Sequence, residues 1–323
     1  MLPLVSIICI TYNHARFIRD ALEGFVNQKT SFSYEAIVHD DASVDGTAEI
    51  VKAYAQKYPD IIVPILEEEN QFQKGGRTTR RLMLEVARGK YLAVCEGDDF
   101  WTDPEKLQKQ VEYMETHPDC SMYIHNGDML DQETGVRTRI DPYPKSSVLT
   151  AADVIEERGA LPPTASMLFR RADILKMPEF FWNAPVGDRP RRLYCILKGY
   201  IYYSDAVMCV YRANVKGSFS NRVKTSSNYR SNCFNRMIDF FDQYDAYTEG
   251  KYTKEIAYAK SREEFDYSLR CGDRRSASKT MYFHMAFTPV RRLRWHIVSY
   301  IPSGMLFWLK KVRDKMKRPN REL

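Results

Sequence analysis

The sequence predicts an α/β protein: a mostly parallel sheet flanked by helices, with a helical extension at the C-terminus. Two observations carry that prediction. Short runs that are apolar throughout alternate with segments whose apolar residues recur at helical spacing, the pattern of strands buried on both faces. Strand signals then stop near Ser220, beyond which only helical periodicity remains. The chain therefore reads as an α/β domain over residues 1–220 and a helical region over 221–323 that ends in a basic amphipathic tail.

Taken in order, the strand runs are "LVSIICI" (Leu4 to Ile10), "YEAIVHD" (Tyr34 to Asp40), "IIVPIL" (Ile61 to Leu66), "KYLAVC" (Lys90 to Cys95) and "CSMYIH" (Cys120 to His125). Between them Ala15 to Asn27, Thr47 to Tyr58, Thr78 to Ala87 and Pro104 to Thr116 have helical spacing. Asp45-Gly46-Thr47 is a turn running into a helix start, and Asp103 ahead of Pro104 is another. From Thr164 to Arg212 the pattern is mixed: "TASMLF" reads as a strand, Asp188 to Leu197 as a helix, and "YIYYSDAVMCVYR" as extended chain with a turn at Ser204 and Asp205. Tyr229 to Tyr247 and Lys254 to Leu269 are helical.

With 323 residues and 44% hydrophobic composition the chain can bury one substantial core and a second, smaller one. The net charge is +6, yet residues 291–323 hold ten Lys and Arg against Asp314 and Glu322, so the rest is mildly acidic. That distribution argues against a nucleic-acid groove in the main domain. The seven cysteines are scattered and form no Cys-x-x-Cys pair, the usage of reduced, structural thiols. No run reaches the ~18 apolar residues of a membrane span, and the first residues lack a basic start and cleavage site. A cytoplasmic protein is expected.

In an open α/β sheet, ligands bind outside the carboxyl ends of the strands. The polar residues gather there: Thr11, Tyr12 and Asn13 after the first strand, Asp40, Asp41 and Ser43 after the second, Glu96, Asp98 and Asp99 after the fourth. Tyr12 is either a half-buried aromatic or a platform for a nucleobase. Asp40 stands at the strand end and not at the cap, where a carboxylate can accept from a base N–H or a ribose hydroxyl. Asp103 supplies the nearer helix cap, which leaves Glu96 and Asp98 without a capping role. Carboxylates at that spacing, with no Cys or His ligand motif beside them, suit a hard cation such as Mg²⁺ or Mn²⁺ that also grips a diphosphate.

The segments "SIICITYNHARFI", "HDDASVDGT", "CEGDDFW" and "GDRPRRLYCILKGYIYYSDAVMCVYR", in this order, resemble the family 2 glycosyltransferases over roughly Leu4 to Arg212. The resemblance implies a GT-A fold for the first domain and transfer of one sugar, with inversion, from a nucleotide-diphosphate donor. A UDP-sugar is expected as donor, and a glycan or lipid-linked hydroxyl in surface polysaccharide synthesis as acceptor. It places Thr11, Tyr12, Asp40, Arg77, Glu96 and Asp98 at the donor, Asp98 and Asp99 at Mg²⁺ or Mn²⁺, and Asp188 as catalytic base. Read from the residues alone, Asp188 before Pro190 is equally a helix start, and Arg77 a solvated loop arginine. Two departures from the family are Arg189, where Trp is common, and Asn214, where many members carry His. A sugar nucleotidyltransferase would instead show a Gly-rich basic loop after the first strand, which "ITYNHARF" lacks. A non-catalytic nucleotide-sugar scaffold on the membrane is the third reading.

In the tail, Met305, Trp308, Leu309, Val312 and Met316 form an apolar stripe at helical spacing, with Lys310, Lys311, Arg313, Lys315 and Lys317 largely off it. Such a helix either packs on its own domain or attaches to the anionic inner face of the membrane. "RRLRWH" (Arg291 to His296) adds charge and an interfacial Trp to the second reading.

Overall fold

The computed structural model describes residues 2–72, 77–158 and 160–299, with the side chains of 77–81, 294 and 296–299 outside the description. The first elements alternate as the apolar runs predict: β1 (Val5–Thr11), α1 (Ile18–Val26), β2 (Tyr34–Asp40), α2 (Thr47–Lys57), β3 (Ile62–Leu66), α3 (Arg77–Val86) and β4 (Tyr91–Val94). There follow β5 (Phe100–Trp101), α4 (Lys106–Thr116), β6 (Cys120–Asp131), β7 (Arg137–Arg139), β8 (Ser147–Leu149), α5 (Ala151–Glu156), β9 (Leu168–Arg170), α6 (Arg171–Ile174), α7 (Glu179–Trp182), α8 (Asp188–Cys195), β10 (Tyr200–Ala213) and α9 (Phe219–Thr225). The chain closes with α10 (Ser227–Tyr247), α11 (Thr253–Arg270), α12 (Arg274–Ala277), α13 (Met281–Ala286) and α14 (Pro289–Ser299).

The strands form one sheet in the order β3-β2-β1-β4-β9-β6-β10-β5, with β7 on β6 and β8 on β10. β3, β2, β1 and β4 are parallel. β9 then runs antiparallel to both β4 and β6, and β6 is parallel to β10. The sheet is therefore mixed, but two reversals restore the direction. β1, β2, β4, β6 and β10 all deliver their carboxyl ends to one edge, the edge at which ligands bind in open α/β sheets.

Local departures from the sequence reading have local causes. "TASMLF" is a 3₁₀ turn over Thr164–Ser166 before the short strand β9, with Pro163 as its cap. The turn expected at Ser204 and Asp205 is a β-bulge within β10, where register shifts let the strand continue along β6. Ser146 holds the bulge from outside, its Oγ donating to Asp205 Oδ1 at 2.7 Å and accepting from the Asp205 N–H at 3.0 Å. α4 begins at Lys106 and not at Pro104; Asp103 instead binds the N–H of Glu105 at 2.8 Å and the ammonium of Lys109 at 2.7 Å.

The main core lies between β1, β2, β4 and the helices α1 and α4, and is filled by Ile7, Cys9, Leu22, Phe25, Leu107 and their neighbours. Phe25 meets the Trp101 ring edge-on at 5.1 Å, and Trp101 Nε1 donates to the Ala165 carbonyl at 2.9 Å. Beside it lies an unusual core residue, Lys106, fully buried. Its ammonium sits 3.9 Å from the Trp101 ring centre and donates to Gln110 Oε1 at 2.7 Å, and Gln110 in turn donates to the Ser166 carbonyl at 2.8 Å. The cation is thus solvated by a π face and an amide in place of water.

The chain forms two compact units, Met1–Thr225 and Ser226–Leu323. The second has its own core, in which Phe265, Ala277 and Phe283 are buried and Leu269, Tyr282, Phe287 and Trp295 pack against them. Trp295, expected at a membrane interface, lies 5.5 Å from Phe283 and 5.7 Å from Phe265. It is an anchor of that core, because an indole buries more apolar area among rings than at a helix surface. The apolar stripe of the tail lies outside the described residues. Among the described helices none is long and apolar enough to cross a membrane, and all seven cysteines are free.

Burial lowers the Lys106 pKa to about 7, against partial support from nearby Cys209, Cys95 and Asp103. The unfolded chain titrates near ~10.4, so between about pH 7 and 10 the unfolded state holds a proton that the folded state lacks. Lys106 therefore contributes stability above that window and loses it as pH falls through it. The substitution Lys106→Met is expected to flatten this dependence. Urea unfolding of both proteins at pH 7 and pH 9.5 should show the stability of the Lys106→Met protein gaining on the parent at the lower pH; parallel pH profiles would contradict the assignment.

Candidate active site

The edge formed by the strand ends is stitched from three loops. The Asp41 N–H donates to the Thr11 carbonyl at 3.0 Å, and the Gly97 N–H donates to the Ile10 carbonyl at 2.9 Å, so the loops after β2 and β4 both fasten to the end of β1. Asn13 and Ala42 take left-handed φ values of 56° and 60°. Non-glycine residues in that conformation mark backbone held by its surroundings. Here the hold is reciprocal: the Asn13 N–H donates to Ser43 Oγ at 2.8 Å, the Val44 N–H to Asn13 Oδ1 at 2.9 Å, and the His14 N–H to Thr47 Oγ1 at 2.9 Å. Asp45 accepts from the Ala15 N–H and from Thr47, joining the same two loops while supporting the start of α2.

Asp40 is buried and receives the Ser43 N–H at 2.9 Å and the Ser43 hydroxyl at 2.5 Å. A carboxylate has about four acceptor positions, so capacity for a ligand donor remains. Asp41 points the other way, receiving the N–H groups of Gln71 at 2.7 Å and Phe72 at 3.1 Å, and so fixes the segment after β3. Tyr12 is 40% exposed at the rim, as a stacking platform would be. Thr11 is buried, and a Cβ added at Gly97 would fall 2.6 Å from its Oγ1. Only glycine lets the acidic loop lie this close to β1. Arg77 opens α3, and its side chain lies outside the described residues.

The acidic loop is clamped by a residue that the sequence reading did not single out. The Arg212 N–H, at the end of β10, donates to Asp99 Oδ1 at 2.8 Å. Its guanidinium donates to the Asp98 carbonyl at 2.8 Å, pairs with Asp20 on α1, and lies 4.4 Å from the Phe100 ring centre and 5.1 Å from that of Phe17. The sequence shows only its place at the end of a long extended run. Asp99 is 1% exposed and turned inward to this clamp, whereas the Asp98 side chain is 13% exposed and Glu96 is exposed. Burial and the neighbouring Asp98 push the Asp99 carboxyl well above its usual range; burial also raises Asp98, against the opposing pull of Arg212.

His14 also went unremarked in the sequence. Its Nε2 lies 3.9 Å from Asp98 Oδ2, and burial lowers its pKa although Glu96, Asp45 and Asp40 all pull it upward. His14 Nδ1 is buried without a hydrogen-bond partner among the described residues. At 3.9 Å the His14–Asp98 pair lies beyond hydrogen-bond range. Among the described residues no three or more His, Cys, Asp or Glu side chains form a ready cation cage. A cation here would thus complete its shell from a ligand such as a diphosphate, which is how Mg²⁺ is commonly held.

Asp188 is the first residue of α8, whose N-cap is Gly187 with no side-chain cap bond. The side chain instead accepts from Arg192 Nη1 at 3.2 Å. Arg192 also pairs with Glu157, and Arg189 Nε lies 3.1 Å from the other Glu157 oxygen, so Asp188, its side chain 22% exposed, sits at the edge of a buried cluster of two arginines and Glu157. Burial would raise its pKa, but the charge of Arg192 and hydrogen bonds from Arg189 and Arg192 outweigh it and hold the carboxyl below its usual value. The far end of α8 is pinned where Ser121 Oγ, at the start of β6, donates to the Cys195 carbonyl at 2.7 Å. Thr11, Asp40, Glu96, Asp98 and Asp99 are brought together at the strand-end edge, whereas Asp188 stands in a separate ion-pair cluster on α8.

The family model "Glycosyl transferase family 2" matches residues 6–174, just over half of the chain. An uncharacterized protein of Mycobacterium tuberculosis (strain H37Rv) is 47% identical over 121 residues, covering 38% of this chain and 34% of that protein. The Escherichia coli UDP-Glc:alpha-D-GlcNAc-diphosphoundecaprenol beta-1,3-glucosyltransferase WfaP is 33% identical over 115 residues, 36% of this chain and 43% of its own. The matched segment thus spans about a third to under half the length of these relatives. Among solved structures, S. aureus TarS 1-349 in complex with UDP aligns with a TM-score of 0.52 at 18% identity, over 83% of this chain and 91% of that one. The mannosyltransferase PcManGT from Pyrobaculum calidifontis, in complex with GDP-Man and Mn²⁺, aligns with a TM-score of 0.58 at 15% identity, over 99% and 82%. These likenesses are to the GT-A fold, and with the family match they give the conclusion that the chain belongs to glycosyl transferase family 2.

Proposed function

We propose that the chain is a metal-dependent, inverting glycosyltransferase. It moves one sugar from a UDP-sugar to a hydroxyl of a glycan or lipid-linked acceptor in surface polysaccharide synthesis. The observation that carries the proposal is the clamped acidic loop: Asp98 is held by Arg212 at the carboxyl end of β4, with His14 and Asp40 beside it. Tyr12 stacks on the base, Asp40 accepts from the base or ribose, and Thr11 with Gly97 sets the floor beneath the donor. Arg77, which opens α3, is kept in this reading as a phosphate contact.

Asp98 and His14 would hold Mg²⁺ or Mn²⁺, with Glu96 at the exposed side. Asp99, expected as a second ligand, supports the loop from within. A bound cation would supply charge neutralisation to the departing diphosphate. Asp188 serves as the general base: it is ionised at neutral pH and so can take the proton of an attacking hydroxyl, although its pair with Arg192 lowers its basicity. The lipid-linked acceptor of the E. coli relative motivates the acceptor class, and the basic tail would bring the enzyme to the inner face of a membrane where such acceptors reside.

Asp98→Ala is expected to abolish Mn²⁺-dependent binding of a UDP-sugar in calorimetry without loss of fold, since the residue fills no core cavity. Unchanged affinity would end its assignment as a ligand. Asp188→Asn keeps shape and helix-start chemistry but cannot take a proton; product assay should show transfer reduced by ~10²–10⁴ with donor affinity intact, and near-normal turnover would mean that Asp188 is structural. Arg212→Gln removes a charged donor from the loop. Its expected cost is about 2 kcal/mol of stability together with weaker Mn²⁺-dependent donor binding, read by urea unfolding and calorimetry on one sample.

A further inference from the structure

The second unit turns its aromatic residues inward and leaves an exposed apolar set outside. Met281 is 43% exposed, Met285 59%, Val290 63% and Leu293 62%. Met281 and Met285 are four residues apart on α13, and Val290 and Leu293 three apart on α14, so each pair forms a stripe on one helix face. Phe283 and Trp295, which meet at 5.5 Å in the core, lie roughly opposite these stripes around their helices. Both stripes therefore face away from the core that the two helices share.

The segment that carries them is cationic. From Arg274 to Arg313 the sequence contains no Asp or Glu, while Arg274, Arg275, Lys279 and Arg291 are exposed. Exposed apolar side chains on a segment whose own charges are all cationic match the interfacial region of an anionic bilayer, where the charges meet headgroups and the apolar groups enter the acyl boundary. A second copy of this chain is a poor occupant, because a twofold contact through this face would set arginines against arginines.

We propose that the exposed faces of α13 and α14 form a docking surface for an anionic lipid bilayer. The surface is separate from the tail beyond Gly304 and independent of the sugar-transfer chemistry, since none of its residues stands in the candidate active site. Met281, Met285, Val290 and Leu293 supply insertion, and Arg275 and Arg291 supply attraction.

The test is sedimentation of the full chain with vesicles of phosphatidylcholine, alone or with a third phosphatidylglycerol. The protein is expected to bind the anionic vesicles and leave the neutral ones. Arg275→Gln with Arg291→Gln should lower partitioning about 30-fold, at roughly fivefold per cation, and should reduce its salt dependence. Met285→Ser with Leu293→Ser should lower it at least tenfold while leaving the salt dependence in place. Thermal unfolding of each variant should match the parent, because the altered side chains are exposed. Equal binding to neutral vesicles, or full binding by both double variants, would overturn the proposal; so would an oligomer in light scattering that only the Met285/Leu293 variant dissolves. Transfer to a soluble acceptor, measured alongside, is expected to be unchanged, so failure of the docking surface and failure of the enzymatic reading are distinguishable.

Discussion

Arg212 joins the two halves of the sheet at the place where chemistry is expected. Its backbone and side chain together hold Asp99, the Asp98 carbonyl and Asp20, between the rings of Phe17 and Phe100. Without that clamp, adjacent carboxylates with little access to water would repel one another and seek solvent. A guanidinium is suited to the task because it stays charged and offers a rigid fork of donors while its faces stack on aromatic rings. The rest of the edge depends on the loop being there: Gly97 presses on Thr11, and His14 finds Asp98 at its side.

The same economy of buried charge recurs elsewhere in the α/β unit. Arg189, Arg192, Glu157 and Asp188 form a compact cluster in which each carboxylate faces an arginine. Lys106 is held instead by Trp101 and Gln110, at the cost of a depressed pKa. These are two solutions to one problem, the expense of placing charge where water is scarce. In the first the charge persists; in the second burial makes it easier to lose.

The second unit is organised around aromatic packing. A cluster of rings around Phe265 and Phe283 gives three short helices and the end of α11 a common core. Short helices are marginal alone and gain their stability from such packing. The choice of Trp295 as a core ring leaves the methionines and the valine and leucine of α13 and α14 on the surface, next to arginines.

The sequence by itself determined the alternation of buried strands and helices, and with it which loops must meet at one edge. Period and apolar character are local properties that survive without tertiary information, so β1 to β4, α8, α10 and α11 were legible, as was the gathering of Thr11, Asp40, Glu96 and Asp98 at strand ends. Tertiary structure decided what depends on partners distant in the chain. The antiparallel insertion of β9, the bulge that keeps β10 whole, the inward turn of Asp99 and the inward turn of Trp295 all follow from contacts tens to more than a hundred residues away. Arg212 and His14 belong to that class: each is an ordinary polar residue in the sequence, and only folding brings it to the carboxylates that give it a role.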